Sequence, residues 1–166
     1  MNKSIILNHQ EITQKTRRIA FQILESHCDV DEIILAGING NGFIFAEHIK
    51  DHLEQISDLK ITLCEVILDK KNPLNTIETS ISKENYTDKH IVLIDDVLNS
   101  GKTLIYGVKH FLNVSLASFK TAVLVNRNHK EYPVKADFKG ISLSTSLQES
   151  IKVDFSNEED SIAYLC

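Results

Sequence analysis

The sequence is poor in the features that mark secreted, zinc-bound and membrane-spanning proteins. Its 166 residues include three cysteines, Cys28, Cys64 and Cys166, which are widely spaced and form no CxxC pair. This pattern argues against a disulfide framework or a zinc site, so three reduced thiols are expected. No apolar run approaches the roughly 18 residues of a membrane span, and the amino terminus lacks a signal-peptide layout. We therefore expect a cytoplasmic protein without a membrane anchor.

An excess of positive charge is also missing. The formal net charge is −5, with 18 basic and 23 acidic side chains, and 42% of the residues are apolar. This is the composition of an ordinary globular protein, and its length suits one domain with a substantial core. An acidic chain does not favour nucleic-acid binding, although a local basic patch can persist. We predict a single domain spanning residues 1–166.

Apolar segments alternate between helical and strand periods along most of the chain. Helical spacing predicts helices at 10–27, 41–53 and about 102–112. Short apolar runs predict strands at 32–37, 60–68, 90–95, 119–125, 151–155 and 162–165. Such alternation indicates an α/β fold with βαβ units around a central, mostly parallel sheet that is covered on both faces. Ligands then bind beyond the carboxyl ends of the strands.

A polar stretch at 69–89 interrupts this alternation. It has no strong period, and it contains Pro73, one of only two prolines. The stretch is long for a connection within a compact domain, and long loops of this kind are usually lids or binding loops. Residues 126–150 are predicted to be irregular as well.

The stretch IVLIDDVLNSGKTL, residues 91–104, carries the strongest chemical signal. Four apolar β-formers lead into two adjacent acids, Asp95 and Asp96, which repel each other and are costly to bury. A Walker phosphate loop is excluded because its first glycine would fall on Asp96. Either the acids only form a turn and helix cap, or a ligand satisfies them. Their junction with the following SGKT sequence favours a ligand.

The residues 100–103, which follow Asn99, form a phosphate-binding pattern. Ser100 is a suitable N-cap, and Gly101 allows close backbone approach. The free N–H groups of the first helical turn attract an anion, and Lys102 and Thr103 add donors. Acids beside a phosphate site suit a phosphorylated sugar with vicinal hydroxyls, and a divalent cation could relieve their repulsion. The strand-end segment 37–40 is expected in the same cleft.

Three blocks of the sequence resemble the type I phosphoribosyltransferases. VLIDDVLNSGKT resembles their phosphoribosyl-pyrophosphate (PRPP) motif, IILAGINGNGFIFAEHI their first strand and pyrophosphate loop, and TAVLVNRNHKEYPVKADFKGISLST their fourth strand and hood. Order and spacing are most similar to the branch of bifunctional pyrimidine-operon attenuation proteins/uracil phosphoribosyltransferases. The resemblance covers nearly the whole chain. It implies a type I phosphoribosyltransferase-like three-layer fold, a flexible lid at about 69–89 and a small C-terminal hood at about 126–166.

The resemblance also implies a set of site residues. Asp95 and Asp96 would hold the ribose hydroxyls of PRPP and would face Mg²⁺ indirectly, through PRPP. The 5′-phosphate would be bound by Asn99, Ser100, Gly101, Lys102 and Thr103. The pyrophosphate loop would comprise Gly37, Ile38, Asn39 and Gly40. The base pocket would contain Asn126, Arg127 and Phe138, with Phe138 stacking on the base, and the lid would supply Lys70 and Lys71.

The implied reaction is displacement of pyrophosphate from PRPP by a nucleobase nitrogen, with Mg²⁺ stabilising the leaving group. Uracil is the expected base. A purine base stays open as an alternative, because Asn126 replaces the usual Asp of the branch and offers donors and acceptors without charge. A second alternative is a PRPP- or nucleotide-sensing regulator that binds pyrimidine-operon leader RNA with little turnover. The resemblance also implies a homodimer or homotetramer.

The chain departs from the branch mainly at cationic positions. The usual Lys-Thr-Arg of the pyrophosphate loop is Asn39-Gly40-Asn41, and the usual Arg-Asp-Asp of the lid is Asp69-Lys70-Lys71. Neutral groups bind an anion less strongly than charged ones, and lysine lacks the bidentate fork of arginine, so weaker pyrophosphate binding is expected.

Basic residues that could bind RNA occur in two groups. They are Lys15, Arg17 and Arg18 in the first helix, and Lys130, Lys135 and Lys139 in the hood. The acidic net charge favours a solvated surface over an RNA-binding one.

Overall fold

A computed structural model describes residues 3–146 and 148–166 of the protein. Within these ranges the chain forms nine strands and four helices. In chain order they are β1 (Ser4–Leu7), α1 (His9–Ser26), β2 (Glu32–Ile38), α2 (Asn41–Ile56), β3 (Lys60–Ile67), β4 (Glu78–Thr79), α3 (Lys83–Tyr86), β5 (His90–Leu98), α4 (Lys102–Phe111), β6 (Ser118–Arg127), β7 (Phe138–Leu143), β8 (Ile151–Asp154) and β9 (Ile162–Leu165).

The central sheet has six strands in the order β4-β3-β2-β5-β6-β7. Its strands run parallel except for β4, which pairs antiparallel with β3. Apolar side chains of α1 and α2 pack on one face of the sheet, and those of α4 pack on the other. The predicted three-layer α/β fold is therefore confirmed, because nearly all-apolar strands need cover on both faces.

The first helix begins with a reciprocal cap. The Asn8 side chain accepts a hydrogen bond from the Glu11 N–H, and the Glu11 carboxylate accepts one from the Asn8 N–H. Behind this capping box, Ile12, Ile19 and Ile23 form a buried stripe at helical spacing. The helix consequently lies within one residue of its predicted bounds.

A second, three-stranded antiparallel sheet has the order β1-β9-β8 and joins the two ends of the chain. The strands at 151–155 and 162–165 were expected, whereas β1 was not. The segment predicted to be irregular at 126–150 also contains β7, which pairs parallel with β6. Its short apolar pattern is masked by alternating polar residues, because only one of its faces is buried.

Two further expectations about local structure need correction. The 69–89 stretch is not wholly irregular, since it includes β4 and α3, and the α3 residue Tyr86 is buried. Strand β5 does not end at Asp95 but continues to Leu98, because Val97 and Leu98 pair with β6. In the ranges that the structure describes, no helix is both long and apolar enough to cross a membrane.

Candidate functional site

A cleft of about 390 Å³ opens at the carboxyl end of β5. One continuous segment, residues 95–104, forms much of its wall, as expected for the carboxyl edge of a parallel sheet. Other elements complete the wall with Asn41, Lys70, Val123, Ile151, Lys152, Val153, Asp154 and Tyr164. The second sheet therefore contributes directly to the cleft, through β8 and β9.

The two acids at the centre of the cleft occupy different environments. Asp95 is only 4% exposed, whereas Asp96 is half-buried. One Asp95 oxygen, Oδ1, accepts a hydrogen bond from the Asp96 N–H at 2.9 Å and lies 3.5 Å from Lys70 Nζ. Burial, followed by the charge of Asp96, raises the pKa of Asp95 despite the opposing charge of Lys70. The free protein therefore resists placing two full negative charges here.

Asp96 is oriented by an asparagine that the sequence analysis did not assign to the site. Asn41 Nδ2 donates to Asp96 Oδ2 at 3.1 Å and to the Val153 carbonyl at 2.8 Å. Asn41 thus ties the start of α2 to an acid of β5 and to strand β8. Its neighbour Gly42 leaves room for the acid pair, since a Cβ there would lie 2.9 Å from Asp95 Oδ1.

The predicted phosphate loop lines the cleft in full, with Asn99, Ser100, Gly101, Lys102 and Thr103. Gly101 precedes α4 with a φ of 88°, in the left-handed region that favours glycine. A Cβ at this position would also come within 2.6 Å of Val134 Cγ1. The Ser100 carbonyl accepts hydrogen bonds from the N–H groups of Glu131 and Tyr132, which fixes the loop against the segment after β6.

The predicted pyrophosphate loop, Gly37, Ile38, Asn39 and Gly40, is not part of the wall of this cleft. Asn39 is instead used to join two chain segments. Its N–H donates to the Val66 carbonyl at 2.8 Å, and its Oδ1 accepts from the Leu68 N–H at 3.2 Å. The loop is therefore bonded to the end of β3, where the predicted lid begins.

The two predicted lid lysines lie in different places. Lys70 lines the cleft beside Asp95, whereas Lys71 is exposed and does not line it. The sequence alone could not separate these neighbours, because both carry the same charge on the same polar stretch.

Two of the predicted base-pocket residues end strand β6 next to the cleft without lining it. Asn126 is 3% exposed and pairs in register with Leu98, a residue of the cleft wall. Its Nδ2 donates to Ser142 Oγ at 3.2 Å, but its Oδ1 is buried without a hydrogen-bond partner. Arg127 donates to Thr145 Oγ1 and to the Ser146 carbonyl.

Phe138 lies in the core and outside the cleft wall. It begins β7 in register with Ala122 and is 7% exposed. It packs in the core cluster that also contains side chains of α1 and α2. A core position is the usual role of an apolar residue on a buried strand, and stacking of Phe138 on a base stays a prediction.

The acid pair fits a magnesium ion that is held mainly by a ligand. In the described ranges no group of three or more His, Cys, Asp or Glu side chains is placed to hold a metal ion. Mg²⁺ needs fewer protein ligands, because it commonly binds one or two carboxylates together with water and substrate phosphates. Asp95 and Asp96 supply carboxylates of this kind beside the predicted phosphate loop.

Comparison with known proteins agrees with this geometry. A family model described as phosphoribosyl transferase domain matches residues 2–158. The chain is 36% identical over 157 residues to a Fusobacterium nucleatum protein named Bifunctional protein PyrR, covering 90% of this chain and 89% of that one. It is 33% identical over 160 residues to the protein of that name from Streptococcus agalactiae, covering 93% and 91%.

Solved structures of two phosphoribosyltransferases share the fold. The hypoxanthine phosphoribosyltransferase of Trypanosoma cruzi superposes with a TM-score of 0.76 at 15% identity, over 96% of this chain and 95% of that one. A hypoxanthine-guanine phosphoribosyltransferase from Bacillus anthracis gives a TM-score of 0.72 at 18% identity, over 86% and 84%. The resemblance found in the sequence and the predicted enzyme class are confirmed: the chain belongs to the phosphoribosyltransferase family and has its type I fold.

Proposed function

We propose that the protein uses PRPP and Mg²⁺ to ribosylate uracil, releasing pyrophosphate and forming a nucleotide. The observation that carries this proposal is the single cleft that contains both the acid pair and the phosphate loop. Carboxylates accept hydrogen bonds from vicinal hydroxyls, and the start of α4 offers N–H groups to the 5′-phosphate. The two halves of this site thus match the two halves of ribose 5-phosphate.

Each group of the cleft has a separate task in this proposal. Asp95 and Asp96 bind and orient the ribose hydroxyls, and Asn41 holds the Asp96 carboxylate towards the cleft. The loop from Asn99 to Thr103 fixes the 5′-phosphate. When bound with PRPP, Mg²⁺ neutralises charge on the departing pyrophosphate. Positioning of the anomeric carbon by these contacts lowers the entropic part of the barrier.

Asn126, at the end of β6, is the residue proposed to contact the base. Its buried Oδ1 has no hydrogen-bond partner and is an acceptor suited to the N–H of a base. Uracil is favoured over a purine because the sequence resembles the attenuation protein/uracil phosphoribosyltransferase branch. The relatives named Bifunctional protein PyrR, which match the chain over most of its length, support this choice. A cytoplasmic location, expected from the lack of a signal-peptide layout, and a homodimer or homotetramer, expected from the resemblance alone, complete the proposal.

A second candidate is a PRPP- or nucleotide-sensing regulator with little turnover. It is favoured by the uncharged pyrophosphate loop, in which Asn39 and Asn41 are committed to internal hydrogen bonds. Binding of pyrimidine-operon RNA is less favoured, because one of the basic residues considered for it is already bonded within the protein. The guanidinium of Arg18, in α1, donates to the carbonyls of Lys139 and Gly140 in β7.

The decisive test is pyrophosphate release from PRPP and Mg²⁺ with uracil, orotate, hypoxanthine, guanine and adenine as separate acceptors. Turnover with uracil alone would support the first proposal, and turnover with a purine would redirect it. No turnover with any base, together with measurable binding of PRPP or UMP, would favour the regulator. Failure to bind either PRPP or UMP would contradict both.

A further inference from the structure

Lys70 places an ammonium group at the acid pair before any ligand arrives. Its Nζ lies 3.5 Å from Asp95 Oδ1, and the side chain is 46% exposed while that of Asp95 is 5% exposed. Among the described residues, the other ion pairs lie away from the cleft, at Lys50–Glu54, Lys60–Glu32, Lys89–Glu32 and Lys135–Asp137. Lys102 and Lys152 also line the cleft, but Lys70 is the described cation that forms an ion pair with its acids.

The backbone around Lys70 is held by several hydrogen bonds. On its amino side, buried Leu68 donates its N–H to Asn39 Oδ1. Asp69 then accepts hydrogen bonds from the N–H groups of Lys71 and Asn72 through Oδ1, and from Asn75 Nδ2 through Oδ2. This turn directs Lys70 into the cleft and Lys71 away from it. The predicted pyrophosphate loop has no cation of its own, but its residue Asn39 holds Leu68 and so helps to position the nearby Lys70.

The contact between Lys70 and Asp95 is suited to exchange. At 3.5 Å it is longer than a good hydrogen bond, so the attraction is mainly that of two charges. A lysine ammonium is a compact charge on a flexible four-carbon stem. It can leave Asp95 for a nearby anion while the turn at Asp69 stays in place.

We propose that Lys70 is an exchangeable cation of this cleft, paired with Asp95 in the free protein and transferred to the diphosphate oxygens of the bound ligand. This inference rests on the proposed function, since the diphosphate is that of PRPP. In the free cleft Lys70 and a divalent cation compete for Asp95. When PRPP is bound together with a divalent cation, its ribose hydroxyls would satisfy the Asp95 carboxylate, and Lys70 would be free to contact the diphosphate oxygens.

This exchange makes opposite predictions for two simple ligands. Removing the charge in Lys70→Gln should weaken binding of inorganic pyrophosphate without metal about tenfold, the usual size of one lost charge-assisted contact. The same change should strengthen binding of Mn²⁺ alone, because the acid pair loses its internal counter-ion. A purely structural role would weaken both.

Isothermal titration of the full chain tests this with three probes: inorganic pyrophosphate, Mn²⁺ and ribose 5-phosphate. Lys70→Gln should change the first two in opposite directions and should leave ribose 5-phosphate affinity within about twofold, because the loop that holds its phosphate is untouched. Lys71→Gln is the matched comparison, since it removes the adjacent charge outside the cleft. Its pyrophosphate affinity should fall far less than that of Lys70→Gln.

Several outcomes would overturn the inference. They are unchanged pyrophosphate affinity in Lys70→Gln, equal losses in the Lys70 and Lys71 variants, and parallel losses for all three probes. If the wild-type protein bound ribose 5-phosphate but not pyrophosphate, only the proposed role of Lys70 would be rejected, and the proposed function would stand. Wild-type protein that binds neither ribose 5-phosphate nor PRPP would instead reject the proposed function.

Discussion

The two ends of strand β5 differ in whether their polar side chains have partners within the protein. At the amino end, the ring of His27, which follows α1, lies edge-on to that of His90 with centroids 5.9 Å apart. His27 Nδ1 contacts the Ile23 carbonyl at 2.7 Å, and His90 Nδ1 contacts Ser118 Oγ at 2.7 Å. At the carboxyl end, Asp95 and Asp96 are adjacent, and the more buried of them faces one partly exposed lysine. The amino end is complete without a ligand, whereas the carboxyl end keeps an electrostatic cost that a ligand can remove.

The contrast also appears in the direction of the pKa shifts. Burial, with the charges of His90 and Lys120, lowers the pKa of His27 against the Ile23 carbonyl, which raises it. Burial and Asp96 raise the pKa of Asp95. Both shifts disfavour the charged form, so they make stability depend on pH with opposite signs. The substitutions below are expected to alter ligand binding or stability at one end of β5 or the other.

The largest effect is expected from Asp96→Asn. Loss of one carboxylate that faces the ribose hydroxyls should weaken PRPP binding by about 100-fold or more, since a hydrogen bond to a charged group is the stronger kind. The fold should survive, because an asparagine oxygen can still accept from Asn41 Nδ2. Titration with PRPP and Mg²⁺ measures the affinity, and thermal melting checks the fold.

Asp29→Asn is the control for Asp96→Asn, since Asp29 is exposed and outside the cleft. It removes the same net charge and should retain PRPP binding. Normal PRPP binding by Asp96→Asn would contradict the assignment of this acid to the ribose.

The next largest effect is expected from Gly101→Ala, measured by denaturant unfolding. The variant would carry a side chain at a φ of 88° and a Cβ 2.6 Å from Val134, so we expect a loss of about 2 kcal/mol or more. The matched control is the same Gly101→Ala change in a Val134→Ala background, which keeps the φ of 88° and removes the Cγ1 contact. Relative to Val134→Ala alone, it should lose only about 1 kcal/mol. Equal losses would show that crowding at Val134 is unimportant.

The sequence was most informative where local pattern and tertiary role coincide. Apolar β-formers that end at Asp95-Asp96-x-x-x-Ser-Gly-Lys-Thr predicted a strand, a cleft and a helix start, and all three are present at 90–111. These features follow from chain neighbours alone. The residues of the predicted phosphate loop consequently all line the cleft, and their binding of phosphate stays a prediction.

Contacts between distant segments were the part that could not be predicted. Asn41 contacts Val153 across 112 positions of the chain, and the local sequence that places Asn41 beside the pyrophosphate loop does not indicate this contact. Phe138 was assigned to the base by resemblance, but pairing of β7 with β6 places it in the core. Lys70 and Lys71 were separated only by the turn that Asp69 forms.

A pH-dependent effect on stability is expected from Asp95→Asn. Burial and the charge of Asp96 raise the pKa of Asp95 above its ordinary value of 3.8, so the folded state binds more protons than the unfolded state in the pH window above that value. The free energy of unfolding therefore falls as pH rises through this window, by at most about 1.4 kcal/mol per pH unit. Asp95→Asn should lack this slope and gain in relative stability towards pH 8. Parallel wild-type and variant curves from urea unfolding at pH 5 to 8 would contradict this.

The smallest effect is expected from His27→Gln, at the amino end of β5. Because the pKa of His27 lies below its ordinary value of 6.5, the folded state binds fewer protons than the unfolded state as pH falls below 6.5. Stability from this residue is present above that pH and is lost on acidification. His27→Gln should be less stable than wild type at pH 7.5, since it loses the ring contacts, but its stability should fall less between pH 6.5 and pH 5. Urea unfolding at these pH values measures the difference in slope, and an unchanged slope would mean that the buried His27 ring does not resist protonation.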